Sequence, residues 1–273
     1  MPELPEVETV RRGLSPLLRG KVISHVTIFY PPMVRTGADV LAHDLLGQKI
    51  QDVQRRGKYL IFDLGQHVLL SHLRMEGKFF FQEVAQEPLK HQHVLIDFED
   101  GSRLVYQDVR KFGTLDYLPK ADLAAYFQSK KLGPEPVEEA FLLKEFREGL
   151  GKSRKPVKPL LLEQRLVAGL GNIYVDEVLW KSRIHPMRPA SSLSAQKAGQ
   201  LRKAIIETLA EGVARGGSTI RTYKNAFGQA GTMQETLKVY GQEGHPCPRC
   251  GHPIEKIKVG GRGTHVCPRC QKL

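Results

Sequence analysis

The sequence predicts an α+β multidomain protein: a β-sandwich that opens with a helix, then a helical domain, then a short metal-dependent finger. Three observations predict this order. One helical pattern at the start gives way to many short strands up to about Tyr117. Leu132-Gly133-Pro134-Glu135-Pro136 then breaks the chain, because each proline biases its predecessor away from helix, and helical periodicity follows. All four cysteines of the 273 residues lie near the end, in a Gly- and Pro-rich stretch with few core residues. The expected boundaries are 1–132, 133–236 and 237–273.

The opening helix rests on Leu4, Val7, Val10, Leu14 and Leu17 at helical spacing. Glu3, Glu6 and Glu8 complement its positive N-terminal end, and Gly20 closes it. The β-branched run Val22 to Tyr30 reads as a strand. Tyr59 to Phe62 and Val68 to Leu70 flank a Gly65-Gln66 turn; His93 to Phe98 and Arg103 to Tyr106 flank Asp100-Gly101, a hairpin signal. Beyond the break, helices are expected over Val137 to Leu150, Pro159 to Ala168, Ile173 to Trp180 and Ser194 to Ala214. Gly169 and Gly216-Gly217 act as stops. Gly169-Leu170-Gly171-Asn172 is no dinucleotide fingerprint, since no strand precedes it and the third glycine is missing. It reads as a turn between helices with Asn172 as N-cap, and free amides at that helix start could also hold a phosphate.

The cysteines form Cys247-Pro-Arg-Cys250, sixteen residues, then Cys267-Pro-Arg-Cys270. Each CxxC pair places two thiolates on a tight turn, and a hairpin between them lets four sulfurs enclose one Zn²⁺ with no position left for water. Such a site is structural, and two disulfides are the competing reading. Between the pairs, Gly260-Gly261-Arg262-Gly263 reads as the hairpin turn. Arg262 is then either a phosphate contact or a solvated turn residue.

The formal charge is +12, and it is unevenly placed. Through Leu132 there are 18 basic and 16 acidic residues; from Gly133 onward there are 23 and 13. An excess confined to one half suits a polyanionic partner, with a merely basic surface as the bland alternative. No run approaches the roughly 18 apolar residues of a membrane span. The acidic, proline-rich start is no secretory signal, so a cytoplasmic protein is expected.

The N-terminus carries its own chemistry. Removal of Met1 ahead of the small Pro2 would leave a secondary amine, partly unprotonated near neutral pH and able to condense with an aldehyde carbon. Glu3 and Glu6 stand ready to move protons, although Pro and Glu are also ordinary helix-start residues. Lys152 to Lys158 holds four cations and no anion, either a phosphate-binding strip or a solvated linker. His72, His91 and His93 fall at strand ends, where structural roles are common. Met75 and Phe112 sit at the tips of two arginine-bearing loops; such residues usually cap a core but could wedge a base stack beside Arg110.

Taken together, Met1 to Thr9, Arg55 to Leu60, Asp108 to Gly113, Leu132 to Pro136, Val167 to Tyr174 and the terminal finger resemble the bacterial formamidopyrimidine-DNA glycosylase (8-oxoguanine-DNA glycosylase) family end to end and in order. Leu4 resembles this branch more than the endonuclease VIII-like one, which usually has glycine there. The resemblance implies a β-sandwich, a helix–two-turns–helix module and a zinc finger. It implies a bifunctional glycosylase/AP lyase that removes oxidised purines from duplex DNA and nicks the strand by β,δ-elimination. Pro2 is then the nucleophile at C1′, Glu3 the acid–base group at the sugar and Glu6 its support. Lys58 meets a phosphate near the lesion and assists elimination. Met75, Arg110 and Phe112 enter the duplex, with Arg110 facing the orphaned cytosine. Asn172 and Arg262 hold the phosphate of the flipped nucleotide, and Arg262 is also linked to δ-elimination. His72, His91, Lys158 and Tyr240 complete the expected DNA contacts; Cys247, Cys250, Cys267 and Cys270 bind one structural zinc. A monomer acting on damaged double-stranded DNA is expected. Two alternatives remain open at this point: a zinc-dependent DNA-binding protein without catalysis, and a glycosylase for oxidised pyrimidines.

Overall fold

A computed structural model describes residues 1–218 and 231–273. The loop from Ser218 to Gly231, which the resemblance places over the flipped base, lies outside the described residues except at its two ends. The chain divides into two compact units: Met1–Pro2, Glu6–Lys130 and Ser218–Gly231 form one; Glu3–Pro5, Lys131–Gly217 and Thr232–Leu273 form the other.

The first unit is the expected β-sandwich. Helix α1 (Leu4–Leu18) leads into β1 (Ile23–Ile28), helix α2 (Ala38–Asp44), β2 (Asp52–Arg56), β3 (Tyr59–Asp63), β4 (His67–His72), β5 (Lys78–Gln82), β6 (Gln92–Phe98), β7 (Arg103–Gln107), β8 (Thr114–Pro119) and helix α3 (Leu123–Ser129). Two four-stranded antiparallel sheets, ordered β1-β6-β7-β5 and β2-β3-β4-β8, provide the layers. Val7, Val10, Leu14 and Leu18 of α1, one turn apart, are buried in the same core as Val53, Leu60, Phe62, Leu69, Val94 and Ile96. Gly20, at φ +85°, turns the chain out of the helix. The two expected hairpins form. Leu64 N–H donates to the His67 carbonyl with Gly65 at φ +92°; Gly101 N–H donates to the Phe98 carbonyl with Gly101 at φ +84°. Helices α2 and α3 were not signalled by periodicity, since each is only seven residues long.

The second unit holds α4 (Leu143–Gly151), α5 (Val157–Leu162), α6 (Asn172–Lys181), α7 (Ala195–Ala214) and the hairpin β9 (Glu255–Val259) and β10 (Arg262–Val266). Its core gathers Leu4, Phe146, Leu161, Leu170, Val178, Leu201 and Ile205. Helix α7 matches its expected span, with the Ser194 side chain accepting from Lys197 N–H as the cap. Three expected spans change. Residues 137–142 form turns, so α4 starts only at Leu143; Glu138, Glu139 and Ala140 are exposed there and bury no apolar stripe. The α5 helix stops at Leu162 rather than Ala168, because Gln164 takes a left-handed φ of +63° and its side chain braces the next turn, accepting from Gly169 N–H and donating to the Leu170 carbonyl. Gly171, not Asn172, is the N-cap of α6. No helix among the described residues is long and apolar enough to cross a membrane.

An ion cluster pins α1 to β2. Burial works against the charge of Glu8, but the guanidinium groups of Arg11, Arg12 and Arg55 overcome it and hold the carboxyl down at about 2. A depressed folded-state pKa contributes stability that is present above the ordinary value of 4.5 and is lost as pH falls toward 2. Glu8→Gln should therefore lower unfolding free energy by about 1–3 kcal/mol at pH 7. That deficit should vanish as denaturant titrations are carried from pH 5 down to pH 2.

Candidate active site and nucleic-acid interface

The first turn of α6 organises the second unit. A helix start leaves backbone N–H groups without partners, and here one carboxylate takes three of them. Glu3, 2% exposed, accepts from Gly171 N–H at 2.5 Å, Ile173 N–H at 2.8 Å and Tyr174 N–H at 3.3 Å. Leu4 N–H donates to the Gly169 carbonyl at 3.0 Å, so the Glu3–Leu4 segment lies along the turn between α5 and α6. The two glycines make this approach possible: a Cβ on Gly171 would overlap the Glu3 carboxyl, and one on Gly169 would press on the Leu4 side chain. The anion at this helix start is thus the chain's own carboxylate, where a phosphate had been one expectation.

Asn172 opens the helix and reaches sideways, its amide donating to the Gly263 carbonyl at 3.0 Å. Among the described residues its buried Oδ1 finds no hydrogen-bond partner. Gly263 belongs to β10, whose register pairs Arg262 with Val259 across a two-residue Gly260-Gly261 turn, both at positive φ. Arg262 therefore sits on the strand just past the turn, with its side chain exposed. Lys158, expected among the DNA contacts, lies inside the fold. It is fully buried, donating to Asp176 Oδ1 at 2.7 Å and Thr264 Oγ1 at 2.8 Å. Burial pushes its ammonium pKa down while Asp176 opposes the shift. The Lys158 Nζ is taken up by Asp176 and Thr264, which fastens β10 to α6. Tyr240 is half-buried, its ring against His265, and its N–H donates to Glu177. Glu177 was not singled out by sequence. It takes the N–H groups of Lys238, Val239 and Tyr240, and burial raises its pKa despite them.

In the first unit Pro2 and Glu6 are both buried, and Glu6 accepts from Ser218 N–H at 2.7 Å. Lys58 is buried in the two-residue Gly57-Lys58 connection of β2 and β3. His72, also expected among the DNA contacts, is buried at the end of β4. Burial, with Arg74, Lys58 and Arg35 nearby, pushes its pKa down to about 3, and its Nδ1 accepts from Arg74 N–H. A buried neutral ring is a poor phosphate ligand. His91, at φ +70°, is half-buried and leads into β6. Met75 and Phe112 project from two neighbouring loops, 38% and 52% exposed, and the Arg110 guanidinium lies 4.7 Å from the Phe112 ring centre. Asp108, fully buried, shapes the second loop by accepting from Arg110 N–H and Gly113 N–H. The Tyr106 hydroxyl occupies the space where a Cβ of Gly77 or Gly113 would stand, so one tyrosine ties down the bases of both loops.

The four cysteines are unbridged, and their sulfurs lie within 4.8 Å of one another. A tetrahedral Zn²⁺ with bonds near 2.3 Å needs sulfurs about 3.8 Å apart, so the set fits one ion. Among the described residues the local core is small, Val239, Cys247, Ile254 and Cys267 with Trp180 packed against them, which leaves metal binding to supply much of the folding energy. Trp180 adds a second layer, its indole N–H donating to Cys247 Sγ at 3.3 Å. Chelation or Cys267→Ser should remove one zinc per chain by metal analysis, and limited proteolysis should then open residues 244–273 first.

Comparison with known proteins agrees with this anatomy. Residues 1–115 match the formamidopyrimidine-DNA glycosylase N-terminal domain, residues 132–224 its H2TH domain, and residues 244–273 a zinc finger found in FPG and IleRS. The chain is 58% identical over 256 residues to the formamidopyrimidine-DNA glycosylase of Streptococcus pyogenes serotype M18, covering 94% of this chain and 93% of that one. It is 57% identical, over 94% of each, to that of Streptococcus agalactiae serotype III. Among solved structures, wild-type Lactococcus lactis Fpg in complex with an N7-benzyl-Fapy-dG containing DNA superposes with a TM-score of 0.95 at 50% identity, each chain fully covered. The same organism's Fpg bound to an abasic site containing DNA gives 0.95 at 50%, over 99% of this chain. The chain belongs to the formamidopyrimidine-DNA glycosylase family of bifunctional glycosylase/AP lyases.

Proposed function

We propose that this protein excises oxidised purines from duplex DNA in the bacterial cytoplasm and then cuts the strand, with Pro2 as nucleophile. The observation that carries the reading is the seat of Glu3. The residue next to Pro2 is clamped by three backbone N–H groups, which fixes a carboxylate at the chain end where the amine must act. A base inside a duplex is unreachable, so it must be extruded at a cost of a few kcal/mol. Met75 and Phe112 supply exposed apolar tips for that wedge, and Arg110 a donor for the base left behind. Asn172 and Arg262 supply donors for the phosphate of the extruded nucleotide, and Lys58 for one beside it.

In this reading the Pro2 nitrogen attacks C1′, the glycosidic bond breaks and the base leaves with its electron pair. Glu3 handles protons at the sugar, and Glu6 supports it. Glu3 protonates O4′ as the C1′–O4′ bond breaks, and the opened sugar is left as an iminium ion on Pro2. This acidifies the C2′ proton, whose loss expels the 3′ phosphate, and a second elimination expels the 5′ phosphate. The zinc supplies no chemistry, because four thiolates leave no open position.

Borohydride added during reaction with an 8-oxoguanine duplex should trap a covalent complex, and peptide mapping should place the sugar remnant on residue 2. An adduct on a lysine, or none, overturns the mechanism. Activity on thymine glycol exceeding that on 8-oxoguanine would favour the pyrimidine-lesion reading. Gly171→Ala, which forces Glu3 out of its seat, should lower kcat/KM for excision about 100-fold with zinc content unchanged.

A further inference from the structure

The buried pair Lys158–Asp176 lies behind the exposed Arg262 and the half-buried Asn172, the residues assigned to phosphate binding. Asp176, 1% exposed on the inner face of α6, uses both oxygens. Oδ1 takes Lys158 Nζ at 2.7 Å, and Oδ2 takes the backbone N–H of His265 at 2.8 Å and faces its Nδ1 at 3.3 Å. Lys158 extends the net to Thr264 Oγ1 at 2.8 Å and to the Gly263 carbonyl at 3.4 Å. That carbonyl is also where the Asn172 amide is anchored. Three successive residues of β10, immediately after Arg262, are therefore fastened to α6 through one carboxylate and one ammonium. The positive charge of Arg262 is also felt at Lys158.

A buried ion pair is a poor source of stability. Desolvation can exceed the Coulombic gain, and apolar replacements of equal volume are often as stable. What this pair supplies is register between α6 and β10. We propose that Asp176 is a positioning residue for strand scission: through Lys158 and His265 N–H it holds β10 so that Arg262 and Asn172 address the same phosphate. The inference rests on the phosphate roles given to those two residues above.

The test uses full-length protein and a duplex with a preformed abasic site, so that base removal does not enter. Three variants are compared with the parent: Asp176→Asn, the apolar pair Lys158→Met/Asp176→Leu, and Arg262→Ala as reference. The apolar pair leaves neither charge stranded, so it should fold cooperatively with one zinc per chain, its melting temperature lowered only by the unpaired His265 N–H. Asp176→Asn and the apolar pair should both shift product several-fold from the β,δ- toward the β-elimination product, as Arg262→Ala does. Both should also flatten the dependence of log K on log[salt] by about one unit, the loss of one phosphate contact. A parental product ratio and salt slope in the folded apolar pair, with Arg262→Ala altered, overturns the positioning role alone. A parent that leaves the abasic strand intact, or an Arg262→Ala that behaves like it, overturns the functional reading and this inference with it.

Discussion

The carboxylate of Glu3 at the first turn of α6 is the interaction on which the rest of the second unit depends. Orphan amides at a buried helix start need acceptors, and a buried carboxylate needs donors; each requirement is met by the other. The glycine at 171 leaves the carboxyl room for this approach, since a Cβ there would overlap it. The same helix then distributes constraints along its length. Asn172 holds the Gly263 carbonyl at its start, Asp176 holds His265 N–H one turn on, and Glu177 holds the amides of residues 238–240. At the far end Arg249 donates to the Trp180 and Lys181 carbonyls while stacking 4.1 Å from the Trp180 ring centre. A ten-residue helix of low intrinsic amphipathicity thus carries the N-terminal segment, the finger hairpin and the zinc turn. Asp176 and Glu177 face inward because each has a defined backbone partner.

The first unit solves a related problem with a neutral group. Loops that present apolar tips to solvent lose contacts a core would give, so their bases must be fixed from beneath. Tyr106 does this from β7, and Asp108 closes the second loop with its own hydrogen bonds. The positive φ of Arg74 and Lys111, costly for residues with a Cβ, belongs to these same two loops. Strain and exposure are concentrated where the proposed wedge must work, and the sandwich below them, with Leu60, Leu70 and Val105 wholly buried, absorbs the cost.

Much of this was legible in the sequence, and the boundary of legibility is physical. Helices with a one-sided stripe, such as α1 and α7, and hairpins with a glycine at the turn read correctly because their signals are local. The Cys247 to Cys270 spacing read correctly because metal geometry constrains it. Elsewhere tertiary partners overrode local pattern. Asn172 looks like an N-cap, yet the amides it would cap are held by a residue 169 positions earlier. Residues 137–142 have helical composition but expose three consecutive polar or small residues. Lys158 belongs by composition to a basic strip, and only the fold reveals the acid of α6 beneath it. Glu177 gave no signal, since nothing local distinguishes a buried glutamate that caps a distant loop from an exposed one.

Net charge acquires a different meaning in this light. The last 37 residues hold seven Lys or Arg and two Glu, but four thiolates and one Zn²⁺ remove about two charges. Of the basic side chains, Arg249 is spent on the end of α6, and Lys256 pairs with Glu243 at 3.1 Å. Across the second unit, Lys158, Lys155 and Arg202 are likewise engaged with Asp176, Glu163 and Glu138. The surplus draws a polyanion from a distance, where only the sum matters. At contact, the field is set by the few cations whose backbone is locked and whose heads remain exposed, as Arg262 is. A chain that merely gained lysines would bind DNA more tightly without cutting it better. In the proposed mechanism, scission depends on where β10 holds one arginine, and buried groups that never touch the DNA decide that.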